Sequence, residues 1–134
     1  MEIYIGLGSN LGNKKLHLQT AIDEIEKRIG HVVRQSAFIE SEPWGFESDN
    51  TFVNAVIAVD TDMTPTDVLK ETQKIEREMG RTHKSVNGHY ADRTIDIDIL
   101  LFGNMEIDTP ELTIPHPRMN ERDFVIVPLR EIMK

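Results

Sequence analysis

The run from Thr94 to Phe102 reads Thr-Ile-Asp-Ile-Asp-Ile-Leu-Leu-Phe. Isoleucine alternates with aspartate over most of it, a period of two that suits an extended strand and no helix. Ile95, Ile97 and Ile99 then share a buried face, while Asp96 and Asp98 share the other, about 7 Å apart along the strand. Two carboxylates side by side repel one another in a sheet unless a cation sits between them. A chain carrying this strand needs a core on one side of a sheet and a special environment on the other.

The remaining segments supply that sheet. Glu2 to Leu7 reads as a strand, followed by the turn-like Gly8-Ser9-Asn10. Leu18, Ala21, Ile22, Ile25 and Ile29 recur at helical spacing between Lys14 and Ile29, with Gly30 as the stop. His31 to Ile39 reads as a second strand, Ser41 to Thr51 as a loop, and Phe52 to Val59 as a strand buried on both faces. Thr64-Pro65-Thr66-Asp67 is a helix start: a capping hydroxyl, a proline at the first position and a carboxylate at the positive end of the dipole. Val68, Leu69, Thr72, Ile75 and Met79 carry that helix to Gly80. After Phe102, Gly103-Asn104 predicts a turn into a short partner strand at Met105 to Ile107. A mostly irregular tail follows, with a last helix from Phe124. The order β-α-β-β-α-β is the split β-α-β pattern of an α+β, ferredoxin-like fold: an antiparallel sheet with helices packed on it. Residues 1–134 are expected to form a single domain.

Composition removes whole classes of chemistry. No cysteine is present, which excludes disulfides, thiolate nucleophiles and Cys-ligated metals. The net charge of −8 opposes a general nucleic-acid or anionic-membrane surface. No apolar run reaches the length of a membrane span, and the start lacks a signal-peptide pattern, so a cytoplasmic protein is expected. Gly6-Leu7-Gly8-Ser9-Asn10-Leu11-Gly12 lacks the third glycine of a dinucleotide fingerprint, because Leu11 stands in its place. Its glycines read as serving a tight strand-to-helix turn. There is no P-loop either.

What remains points to phosphate chemistry. Oxygen-only ligands favour a hard ion, Mg²⁺ above all, which recruits phosphate oxygens to complete its shell. Beside Asp96 and Asp98 the charge changes sign: Arg77, Arg81, His83, Lys84, His89 and Arg93 fall together, with Arg118 and Arg122 further on. Cations around a Mg²⁺ site describe a polyphosphate pocket. The core-poor stretch from Arg81 to Asp92 reads as a lid. Trp44, Phe46 and Phe52 with Asn54 suit a flat heteroaromatic ring, held by stacking and by an amide at its edge. The same residues also suit a solvated strand face, a closed core and a surface loop. A ligand-binding module and another Mg²⁺-dependent phosphoryl or nucleotidyl transferase therefore stay open as alternatives.

In this order and spacing the motifs resemble the 6-hydroxymethyl-7,8-dihydropterin pyrophosphokinase family, from Ile3 to about Leu129. The carriers are Ile5 to Gly12, Phe52-Val53-Asn54-Ala55, Arg93 to Gly103, and Pro115-His116-Pro117-Arg118-Met119 with Arg122 and Phe124. The resemblance implies transfer of diphosphate from ATP to the pterin hydroxymethyl group, releasing AMP, in folate biosynthesis. It implies Asp96 and Asp98 as ligands of two Mg²⁺ ions, and Arg81 and Arg93 as catalytic cations. Ser41, Glu42, Trp44, Phe52, Asn54 and Phe124 would bind the pterin. Gln73, Glu76, Arg81, Lys84, Arg93, Ile99, Thr113, His116 and Arg122 would bind ATP. The partners implied are these two small molecules, with no nucleic acid and no membrane, and a monomer is expected. The chain departs from the commoner family pattern at Gly88-His89-Tyr90-Ala91-Asp92-Arg93, where Trp-Gly-Pro-Arg is usual.

Overall fold

A computed structural model describes residues 1–41, 51–80, 94–117, 119 and 122–133. The elements run β1 (Glu2–Ser9), α1 (Lys14–Arg28), β2 (His31–Gln35), β3 (Ile39–Ser41), β4 (Phe52–Asp60), α2 (Pro65–Glu78), β5 (Asp96–Phe102), β6 (Ile107–Asp108), β7 (Thr113–Ile114) and α3 (Asp123–Ile132). The main sheet has the order β2-β4-β1-β5, with β3 also on β4, and every pairing in it is antiparallel. β4 thus inserts between the two strands of the first β-α-β unit, which is the expected ferredoxin-like arrangement.

The helices form for local reasons and stay for tertiary ones. Asn13 caps α1 by accepting from the Leu16 N–H at 3.2 Å, and Thr64 caps α2 by accepting from the Asp67 N–H at 3.2 Å. The stripe Leu18, Ala21, Ile22 and Ile25 of α1, with Val68 and Ile75 of α2, packs on Ile3, Ile5, Leu7, Ala55, Ile57, Ile97 and Ile99. Each Val, Leu or Ile side chain among them contributes about 1.5–3 kcal/mol by leaving water. The opposite face carries a second, smaller core, in which Val125, Leu129 and Ile132 of α3 cover Val56, Ala58 and Leu100. β4 is therefore buried on both faces, as its continuous apolar run predicts. The far end of α3 is tied to the region of β2: the Ile132 carbonyl accepts from Arg34 Nε at 2.8 Å, and the Glu131 carboxylate accepts from the Ala37 N–H at 3.2 Å.

Two expectations are corrected. The strand expected over His31 to Ile39 divides, because Ser36 interrupts it. Its N–H donates to the Val56 carbonyl, and its Oγ accepts from the Val56 N–H, each at 2.9 Å. A side-chain oxygen thus stands where a ladder carbonyl would. The segment after Gly103-Asn104 does turn, but Ile107–Asp108 pairs with Thr113–Ile114 and leaves β5 alone. Among the described residues β5 stays the edge strand, and the small β6–β7 ribbon packs beside it.

Candidate active site

The register of the sheet assembles residues that lie far apart in the chain. β1 is central: Gly8 sits between Asn54 of β4 and Asp96 of β5, and Gly6 sits between Val56 and Asp98. Directly opposed residues project to the same face, so Asn54, Asp96 and Asp98 share one surface, with Phe52 next on β4. On β1 that surface carries only hydrogens. A Cβ on Gly8 would lie 2.9 Å from Asn54 Oδ1 and 3.5 Å from Phe52 Cδ1, and one on Gly6 would lie 3.4 Å from Leu100. The two glycines make an open floor between an amide with an aromatic ring on one side and two carboxylates on the other. This corrects their reading as turn residues. Both lie inside β1, and Gly12, with φ of 64°, is the glycine of the turn that follows. Their spacing of two on a strand was the signal that could have found this floor from sequence.

Burial on the two faces of β5 follows its alternation. Ile95, Ile97 and Ile99 are buried, whereas Asp96 and Asp98 are half-buried. Among the described residues, two bonds tie the edge of β5 turned away from β1. The Glu76 carboxylate, on α2 and only 6% exposed, accepts from the Ile97 N–H at 2.9 Å. Further on, the pairing with β1 shifts register between Tyr4 and Ile5, which leaves Leu100 as the extra residue of a bulge. Its carbonyl accepts from the His116 N–H at 3.0 Å and so fastens the Pro115–Pro117 segment to β5.

Beside that edge lies a cleft of about 250 Å³, whose lining includes Leu69, Asp98, Ile99, Leu112, Thr113 and His116. Ile99, Thr113 and His116 thus meet Asp98 in one cavity. Leu69, Pro110, Glu111, Leu112 and Pro117 also line it; the sequence reading did not assign them, since nothing but proximity in the fold marks them. Gln73 lies exposed on α2, one turn ahead of Glu76. Phe124, at the start of α3, joins the cluster of Val56 and Leu100, the same-face residues that follow Asn54 and Asp98. The Arg122 guanidinium lies 5.8 Å from the Phe124 ring centroid, within cation–π range. Asn54 is 4% exposed, and Ser41 pairs with Phe52 across β3 and β4. Glu42, Trp44, Arg81, Lys84 and Arg93, and with them the lid reading, lie outside the described residues.

The donor set is two neighbouring carboxylates of β5; among the described residues no third His, Asp or Glu converges with them. That set fits a hard divalent ion that keeps waters and takes phosphate oxygens as its other ligands. Thr51 supplies both carbonyl and hydroxyl to Lys14 Nζ, at 3.1 and 3.3 Å, fixing the chain just before Phe52.

Known proteins agree with this architecture. The model of the 7,8-dihydro-6-hydroxymethylpterin-pyrophosphokinase family matches residues 4–134. A 2-amino-4-hydroxy-6-hydroxymethyldihydropteridine pyrophosphokinase of Porphyromonas gingivalis is 49% identical over 131 residues, covering 97% of this chain and 89% of the relative. The enzyme of that name from Haemophilus influenzae is 43% identical, covering 96% and 79%. The one from Bacillus subtilis is 40% identical, covering 96% and 76%. The crystal structure of Plasmodium falciparum HPPK-DHPS superposes with a TM-score of 0.77 over 98% of this chain and 41% of that one, at 18% identity, a likeness of fold. On the family model and these relatives, the chain belongs to the 7,8-dihydro-6-hydroxymethylpterin-pyrophosphokinase family.

Proposed function

We propose that this protein transfers the terminal diphosphate of ATP to the hydroxymethyl group of 6-hydroxymethyl-7,8-dihydropterin, giving the pterin diphosphate and AMP, in folate biosynthesis. The observation that carries the site assignment is the row Asn54–Gly8–Asp96, with Gly6–Asp98 beside it. A flat ring on the glycine floor would meet the Asn54 amide with its edge and Phe52 with its face. Its hydroxymethyl group would then extend toward Asp96 and Asp98. Phe124 would close over the other side of the ring, and main-chain groups of Ser41, Glu42 and Trp44 would assist at its edge.

ATP would enter from the cleft along β5, with Ile99, Thr113 and His116 around the nucleotide and Gln73 and Arg122 contributing from α2 and the start of α3. In the reaction the hydroxymethyl oxygen forms a bond to the β-phosphorus, and the bond from that phosphorus to the α,β-bridging oxygen breaks. AMP leaves with the electron pair, and the hydroxyl proton passes to solvent. Catalysis here is positioning and charge compensation, since the protein contributes no covalent step. Asp96 and Asp98 would hold two Mg²⁺ ions, which when bound neutralise phosphate charge and lower the pKa of the attacking hydroxyl. Arg81, Lys84 and Arg93 would clamp phosphate oxygens through charge-assisted hydrogen bonds. We further propose that residues 1–134 act as one domain, as a cytoplasmic monomer of 15.3 kDa, which light scattering would test.

The deciding experiment is a ³¹P NMR time course with ATP, Mg²⁺ and the reduced pterin. AMP together with a pterin diphosphate is expected. ADP would mark phosphoryl transfer, and free pyrophosphate nucleotidyl transfer. Unchanged ATP in the presence of folded protein would mark a binding relative.

A further inference from the structure

Glu76 stands apart from the other residues assigned to ATP. Its carboxylate is buried, and it accepts from the main-chain N–H of Ile97, the residue between Asp96 and Asp98. Among the described residues β5 is the edge strand, and no neighbouring strand of theirs holds its backbone on this side. An edge N–H without a ladder partner leaves a strand free to twist and shift, and side chains at its alternate positions move with it. From the buried face of α2, Glu76 supplies the missing acceptor. The helix that carries it is anchored at its start by the Thr64 cap and along its length by Val68 and Ile75 in the core. The bond is thus referred to a rigid element.

We propose that Glu76 is a positioning residue for the Asp96–Asp98 pair: by holding the Ile97 N–H it fixes the backbone from which both carboxylates project. The inference rests on the pyrophosphokinase reading for its catalytic consequence, but its structural part is independent of that reading. The second tie on the same edge, from the His116 N–H to the Leu100 carbonyl, has the same effect three residues on. Between them the two bonds bracket Asp98.

Three substitutions separate acceptor, charge and nucleotide contact. Glu76→Gln keeps an acceptor at the same reach and loses the charge. Glu76→Asp keeps the charge and withdraws the acceptor by one methylene. Glu76→Met keeps the volume and removes both. In the apo protein, the Ile97 amide should exchange with deuterium at least tenfold faster in the Asp and Met variants than in wild type or the Gln variant. Buried amides of β4 should be unchanged in all of them. Mn²⁺ titration, as the probe of the carboxylate pair, should weaken severalfold in Asp and Met and recover in Gln. In turnover, kcat at saturating ATP should fall at least tenfold in Asp and Met, with the KM for ATP changed less than threefold, and the Gln variant should recover most of the loss.

An Asp variant more active than Gln would assign the effect to charge and overturn the proposal. A raised KM for ATP with unchanged kcat would make Glu76 a nucleotide contact instead. Unaltered Ile97 exchange in Asp and Met would also overturn it. The contrast between Gln and Asp decides even where Met does not fold. If wild type makes no pterin diphosphate, the functional reading fails, while exchange and Mn²⁺ binding still judge Glu76.

Discussion

Gly8→Ala adds one methyl group at the centre of the site and changes nothing else. The new Cβ would lie 2.9 Å from Asn54 Oδ1, closer than Cβ atoms come to non-bonded neighbours, so the amide must yield by a few tenths of an ångström. Asn54 is 4% exposed and has no room to swing into solvent. Overpacking of this kind costs about 1–3 kcal/mol. Alanine's smaller freedom in the unfolded chain offsets about 0.4–1 kcal/mol of that. The net loss of about 1 kcal/mol should lower Tm by roughly 3–5 °C for a chain of this size. Binding should suffer more than stability. A displaced amide leaves buried polar groups of the pterin edge poorly matched, at a cost of about 1.5–3 kcal/mol, or roughly 10- to 100-fold in Kd. ATP, which the proposed function puts along the far edge of β5, should keep its affinity within about twofold. Calorimetric titration with the pterin, in the presence of a non-hydrolysable ATP analogue, reads the first number, and titration with the analogue alone reads the second. A pterin Kd within about twofold of wild type would refute the role of Asn54. Equal weakening for both ligands would mean general damage and no specific effect at the ring.

Asp96→Ala and Asp98→Ala should each reduce turnover at least ~100-fold, since each removes one of the two neighbouring carboxylates that would hold the metal. Near-normal AMP production by either at saturating Mg²⁺ would end the metal assignment. Gly30→Ala should destabilise the fold by about 3 kcal/mol or more, because a Cβ there would meet the Asp60 carbonyl oxygen at 2.1 Å and backbone cannot step aside. Denaturant unfolding would show it, with kinetic constants unchanged in the folded fraction. Glu78 accepts two hydrogen bonds from Arg28, at 2.6 and 3.0 Å, joining α2 to α1. Those bonds hold its carboxyl below the ordinary value of 4.5. A depressed folded-state pKa contributes stability above the unfolded value and loses it as pH falls through the folded one. Glu78→Gln should therefore be less stable than wild type near about pH 7, and the gap should close as acid protonates Glu78 and the pH falls through its lowered folded-state pKa. A gap undiminished in acid would show that the ion pair is not its source.

Much of the fold was legible because local chemistry and burial agree along the chain. Ile95, Ile97 and Ile99 alternate with Asp96 and Asp98, and no other conformation satisfies both sets. Leu18, Ala21, Ile22 and Ile25 mark the buried stripe of α1, and Thr64-Pro65 marks the start of α2, each through interactions within a turn or two. The order of elements then leaves few sheets that bury both helices, and the ferredoxin-like one is realised. Ser36 shows where such reasoning stops: its hydroxyl replaces a ladder acceptor for Val56, a residue distant in sequence, and no local signal announces it. The same holds for Ile107–Asp108, which a turn brings toward β5 but which finds Thr113–Ile114.

The site divides along the same line. Sequence alone determined that two carboxylates share a strand face, that Asn54 and Phe52 lie on another strand, and that no thiol or P-loop chemistry is available. Only the tertiary structure decided that these strands flank β1 in a register that places Asn54, Gly8 and Asp96 in one row. Only it decided that the edge of β5 is held by a buried carboxylate from α2. The physical reason is range. Periodicity and capping act between residues a few positions apart, whereas register and edge closure are chosen by the packing of whole faces, which the linear order does not contain.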